Sequence, residues 1–292
     1  MGARKIIVWR LVALITAVVV FIGVTVYGAV SLIGSRPKPA QTTPAAVSSE
    51  AAVQPIISDN EYVEKIKSTY SRTSKLETIL KNIDVYPTTL LDALLRNSEI
   101  MDFVVEYTNH PQYGFENAKN IDISGDYTPG KIPLFIQWDA RWGYEQYGTD
   151  IMALNACGPT CMAMIYVGLT GDTSENPLSV AELCIENHYY YAGQGTSTEM
   201  ITYGARKLGL SSAQLMATPQ TVLDSLNAGR PVLVNVGPGD FTTYGHYIVL
   251  TGVAENGEIT VNDPNSPERS AKTWPLDRII EQSYSIWSIW KA

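Results

Sequence analysis

The chain has 292 residues, of which 45% are hydrophobic and 17% charged, with 17 Tyr and 6 Trp. That suits one ordinary domain with additions, or two small ones, and is too apolar for a chain disordered throughout. The net charge of −8 argues against a protein that tracks nucleic-acid phosphates, and three Cys without a CxxC pair, beside three His, exclude a disulfide framework and the common zinc patterns.

Residues 11–34 contain no charged side chain, and Arg4, Lys5 and Arg10 precede them. A run of that length spans a bilayer as a helix, and the positive charges put its N-terminal side in the cytoplasm. Residues 1–36 are therefore expected to form a cytoplasmic tail and an uncleaved transmembrane anchor. Residues 37–56, rich in Pro, Ala, Thr and Ser, form a linker without core-building side chains. The rest of the chain is then extracellular.

Residues 57–130 are expected to be a helical region with a connecting loop. Leu90, Leu91, Leu94 and Leu95 make a helical stripe that starts after Pro87, with a break at Asn97-Ser98; the loop covers 109–130. From residue 131 to the end the pattern changes. Helices are expected over 157–170, 179–189 and 218–229, with another after a capping box at Thr196-Ser197-Thr198-Glu199. Strands follow at 231–236, 246–253, 258–263 and 285–290, with a hairpin turn at Asn256-Gly257. Helices first and strands later indicate an α+β domain on an antiparallel sheet.

Within this part, Cys157-Gly158-Pro159-Thr160 puts a cysteine at a helix start, since Pro suits the first turn. Free N–H groups there favour a thiolate, which makes Cys157 a candidate nucleophile; a buried structural cysteine fits the same residue. His246, after Gly245 and at the head of an apolar strand, is the candidate base, while His110 and His188 have plainer roles in a loop and at a helix end. In Asn262-Asp263-Pro264-Asn265, strand alternation puts Asp263 with Ile259 and Val261 and turns Asn262 away, so Asp263 is the better partner for His246, ahead of Asn265. Gln137 is a candidate oxyanion donor beside the backbone N–H of Cys157. Cys161 is expected to pack in the core, with a Cys161–Cys184 disulfide as the alternative.

Taken together these residues resemble the papain-like C39-type peptidases, in particular the stand-alone C39-like group of exported bacterial proteins. The resemblance covers about residues 131–290 and runs through Gln137-Trp138-Asp139, Trp142-Gly143-Tyr144, Cys157-Gly158-Pro159-Thr160, Gly195-Thr196-Ser197, Gly245-His246 and Asn262-Asp263-Pro264-Asn265-Ser266, in that order. It implies a papain-like fold in which Cys157 attacks, His246 is the base, Asp263 orients it and Gln137 lines the oxyanion hole, with no metal and no organic cofactor. The chain departs from the exporter-linked members in having no ATP-binding motif, so their double-glycine substrates do not carry over. The resulting expectation is a membrane-anchored extracellular thiol peptidase acting on a peptide or protein, not on nucleic acid. The alternatives are a peptidoglycan peptide hydrolase and an inactive papain-like binding module at the envelope.

Overall fold

The computed structural model describes residues 60–292. The apolar run at 11–34 and the linker at 37–56 lie outside them, as does the anchor expected there; among the described residues no helix is long and apolar enough to cross a membrane.

The helical region opens with α1 (Glu61–Thr69), α2 (Ser74–Lys81), α3 (Thr88–Arg96) and α4 (Met101–Glu106). Local chemistry sets their ends. The side chains of Asn60 and Thr73 accept N–H bonds at the starts of α1 and α2, and Pro87 precedes α3. The break expected at Asn97-Ser98 is a 3₁₀ turn, Ser98–Ile100, opened by the Asn97 side chain accepting the Glu99 N–H at 3.0 Å. The apolar stripes of these helices, including Ile66, Ile79, Leu90, Leu94 and Val104, close one core. That core also takes in Tyr144, Ile151 and Ala153 from further along the chain. The stretch expected as loop holds two 3₁₀ segments, Phe115–Asn120 and Ser124–Asp126.

Next come α5 (Met152–Asn155), α6 (Cys157–Thr170) and α7 (Pro177–Glu186). Helix α6 is apolar around its circumference and accordingly buried from Gly158 to Val167; it stops at Gly171, whose φ of 71° suits the left-handed C-terminal position.

The main sheet has strands β1 (Leu210–Leu215), β2 (Val232–Val236), β3 (His246–Val253), β4 (Ile259–Asn262), β5 (Thr273–Trp274) and β6 (Ser283–Lys291), in the spatial order β1-β6-β2-β3-β4-β5. All pairings are antiparallel. On one face, Leu233, Tyr247, Val249 and Ile289 pack with α6 and α7. On the other, Val234, Ile248, Leu250 and Val261 form a second core with α8 (Pro219–Asn227) and α10 (Leu276–Glu281); the one-turn helix α9 (Pro267–Ser270) lies between β4 and β5 in sequence. The result is a mixed helix-and-sheet fold with an antiparallel sheet.

Two sequence expectations change. The segment after Glu199 is a π-helical turn, Met200–Gly204, leading into a single α turn, and the Glu199 N–H is received by Ser197, not Thr196. Thr196 is instead buried in a two-residue ribbon, where its hydroxyl meets the Tyr147 hydroxyl at 2.8 Å. Strand β1 was not expected from the sequence. It is an edge strand of Leu, Ser, Ala and Gln with no β-branched residue and no clear alternation of burial, so it lacks the usual strand signals.

Candidate active site

Cys157 is the first residue of α6, with Pro159 in the first turn. Gly158 is required by packing: a Cβ at this position would come within 2.9 Å of the Thr196 Cβ. Cys157 is partly exposed, whereas Cys161 and Cys184 are buried, and all three are free thiols. Cys161 donates to the Tyr247 carbonyl at 3.3 Å. Burial pushes both of these thiols up, that of Cys184 to about 12, so they stay protonated and inert at neutral pH.

His246 heads β3, and Asp263 follows the last residue of β4. The register pairs Leu250 with Val261 and Val249 with Asn262. Continued by one step it sets Asp263 opposite Ile248, diagonal to His246 on the same face of the sheet. Accordingly His246 Nε2 lies 2.8 Å from Asp263 Oδ1, with both groups buried. Asn262 points the other way, donating to the carbonyls of Ile132 and Pro133 at 3.1 and 2.9 Å. With Nε2 committed, Nδ1 is the nitrogen left to face Cys157. Burial works against a charged imidazole here. The charge of Asp263 and its hydrogen bond, joined by the hydrogen bond and charge of Cys157, outweigh it and push the His246 pKa up to about 10.

Asp263 is fully enclosed. Its Oδ1 also accepts the Asn265 N–H at 2.8 Å, and its Oδ2 accepts Arg269 Nε at 2.6 Å. Burial alone would raise this carboxyl; the His246 and Arg269 cations, with their hydrogen bonds, instead hold it below the usual carboxylate range. Arg269 was not expected from the sequence. Its signal was the helix start Ser266-Pro267, because one helical turn after that pair returns residue 269 towards Asp263.

Gln137 is buried, tied by its own N–H to the Pro264 carbonyl at 2.7 Å. Its side-chain Nε2 donates to the Ala153 carbonyl at 2.6 Å, which commits one of its two N–H groups; Oε1 has no hydrogen-bond partner. Gln137, Cys157 and His246 line one cavity of about 550 Å³. Part of its wall is the loop 239–245. Helix α3 also contributes to the wall, through Asp92 and Arg96. The Arg96 guanidinium stands 5.9 Å from the centre of the Tyr244 ring, two residues before His246. The participation of α3 was not read from the sequence, where its stripe marked a buried face but not what that face packs against. Tyr190 and Tyr191 form a small ribbon with Gly195-Thr196 and do not line the cavity. Among the described residues no group of three His, Cys, Asp or Glu side chains could hold a metal ion.

Comparison with known proteins places the sheet-bearing part of the chain. Residues 130–291, more than half of the chain, match the Peptidase_C39 like family. Among solved structures the chain is similar to the peptidase domain of Streptococcus ComA, a bifunctional ABC transporter involved in a quorum-sensing pathway. The identity is 23%, the match covers 55% of this chain and 96% of that one, and the TM-score is 0.37. No curated protein matches the chain.

Proposed function

Because the chain belongs to the Peptidase_C39 like family, we propose that it is a thiol peptidase that cleaves a peptide or amide bond with Cys157 as nucleophile, His246 as base, Asp263 as its orienting acid and Gln137 in the oxyanion hole. The observation that carries this reading is the buried His246, bonded through Nε2 to Asp263 at 2.8 Å, next to a partly exposed cysteine at the start of a helix. The peptide would bind in the cavity that α3 and the 239–245 loop both line. The proton of the Cys157–His246 pair rests on the imidazole, which Asp263 holds charged, and the thiolate adds to the carbonyl carbon. The oxyanion that forms is met by the Cys157 backbone N–H and the second N–H of Gln137. The C–N bond then breaks, and the imidazolium protonates the departing amine. Water, deprotonated by His246, hydrolyses the thioester, and the departing thiolate with the imidazolium restores the resting pair.

The apolar run at 11–34, preceded by Arg4, Lys5 and Arg10, supports a single-pass anchor with the peptidase on the extracellular side, spaced from the membrane by residues 37–56.

Alkylation of the full-length chain, purified in mild detergent, tests the catalytic reading. Iodoacetamide at neutral pH is expected to label Cys157 well above the rate of a model thiol, and the enhancement is expected to vanish in Cys157→Ala and His246→Ala. Labelling at the model-thiol rate would overturn the peptidase and leave a binding module. With an active enzyme, Gln137→Ala should lose about 10²–10³ in kcat. Turnover of muropeptides in preference to a linear peptide library would shift the substrate to the cell wall.

A further inference from the structure

The groups that hold Asp263 come from residues 265–269: the Asn265 N–H on one oxygen and the Arg269 side chain on the other. That loop is itself held from outside the sheet. Asn97 Nδ2 donates to the Asn265 carbonyl at 2.8 Å, joined there by Trp138 Nε1 at 3.3 Å. The Glu99 carboxylate accepts the Ser266 hydroxyl on one oxygen and the Glu268 N–H, at 2.8 Å, on the other. Ser266 Oγ in turn accepts the Arg269 N–H at 3.0 Å, so Glu99 acts directly on the turn that presents Arg269. Asn97 and Glu99 are themselves coupled by the 3.0 Å bond that opens the Ser98–Ile100 turn. Both residues lie before position 130, outside the family match.

We infer that Asn97 and Glu99 are positioning residues for Asp263, which makes the helical segment ahead of the peptidase part a component of the active site. The inference rests on the thiol-peptidase reading of that site. The chain of action runs from Asn97 and Glu99 to the 265–269 loop, from the loop to the two Asp263 oxygens, and from Asp263 to the angle and charge of the His246 ring facing Cys157. A mispositioned partner weakens a catalytic pair without touching it. Asp92, Arg96, Asp150, Asp240 and Tyr244 line the same cavity as His246, and the groups that act on the ring are Asp263 and Cys157. Asp263 is on Nε2 and Cys157 faces Nδ1; Arg269 stands behind Asp263, and Cys161 is kept neutral by burial. Loosening the loop should therefore lower the affinity of His246 for its proton and weaken its pairing with Cys157.

The test uses the full-length chain. Cys157 alkylation by iodoacetamide is followed from pH 5 to pH 9, alongside the melting temperature. Asn97→Ala and Glu99→Ala are expected to label about tenfold more slowly than wild type at pH 6 and within about twofold of it at pH 9, where an ordinary thiol also ionises. Glu99→Gln keeps a hydrogen-bonding group for both Ser266 and Glu268 and should recover most of the pH 6 rate. A purely structural role would lower the melting temperature and leave the ratio of the two rates unchanged, and that result would overturn the inference. An ordinary wild-type thiol would instead strike at the peptidase reading. In that event the His246 ring, followed by NMR in Cys157→Ala protein, still decides: its titration should fall by about one pH unit in Glu99→Ala, and no movement would end the proposal.

Discussion

At the scale of single residues the site turns on one buried carboxylate shared by two cations, and this gives it a pH signature. His246 has its pKa raised from 6.5 to about 10, so it binds its proton more tightly in the folded chain than in the unfolded one. Its contribution to stability is complete below pH 6.5 and is lost as the pH rises through about 10. The gap in unfolding free energy between wild type and His246→Asn, measured in urea, should narrow steadily over that window; a constant gap would mean that the ring is not held charged. Asp263 behaves in the opposite sense. Its pKa is lowered from 3.8, so its contribution is complete above that value and disappears as acid protonates the folded carboxylate. Replacing Arg269 with Met removes one of the two cations that hold it down. The acid-unfolding midpoint followed by circular dichroism should therefore move to higher pH in Arg269→Met. Gly158 is constrained by contact, not charge. A methyl group there meets the Thr196 Cβ at 2.9 Å, so Gly158→Ala should cost about 1–3 kcal/mol and displace the start of α6. Chemical denaturation together with the Cys157 alkylation rate would register both effects.

At the scale of elements, legibility in the sequence followed the range of the interaction that defines each element. Helix α6 was readable end to end, because Pro159 marks its first turn, Gly171 its stop, and the residues between are apolar on every side. Strand β3 was readable from the apolar run that begins at His246. The placement of Asp263 on the His246 face followed from alternation alone, and the structure brings the two groups to 2.8 Å. Edge strand β1 was illegible, because its strand character comes from pairing with β6 and not from its own residues. The π turn at Met200–Gly204 was hidden for a similar reason: Ser197, Thr198 and Glu199 announce a helix start but not the winding of the turn that follows. Helix α3 was half legible. Leu90, Leu91 and Leu94 announced a buried face, but the partners of that face lie some fifty residues further along the chain. Leu94 is fully buried in this core. Leu94→Ala should therefore cost about 2–5 kcal/mol in urea unfolding. A value under about 1 kcal/mol would mean that α3 is only lightly seated.

At the scale of the molecule, helices α1–α4 and the family-matched part are joined by more than the loop contacts of Asn97 and Glu99. Phe103 stacks on Tyr144 with centroids 3.9 Å apart, and the Tyr144 hydroxyl donates to the Phe103 carbonyl at 2.9 Å. One apolar core contains residues from α1 to α4 together with Ile151 and Ala153, the latter four residues before Cys157. Elements that share a core lose their packing together, so residues 60–292 should unfold as one cooperative unit. The Trp residues make this testable without labels. Five of the six, Trp138, Trp142, Trp274, Trp287 and Trp290, lie in the family-matched part and none lies in α1–α4, whereas far-ultraviolet circular dichroism also reports those helices. The two signals should give coincident urea transitions in the full-length protein. Leu94→Ala, although it sits in α3, should shift the Trp transition by as much as the circular dichroism one. A Trp transition unmoved by that change would show two separately folding parts, and α3 would then be a detachable wall of the groove instead of a fixed one.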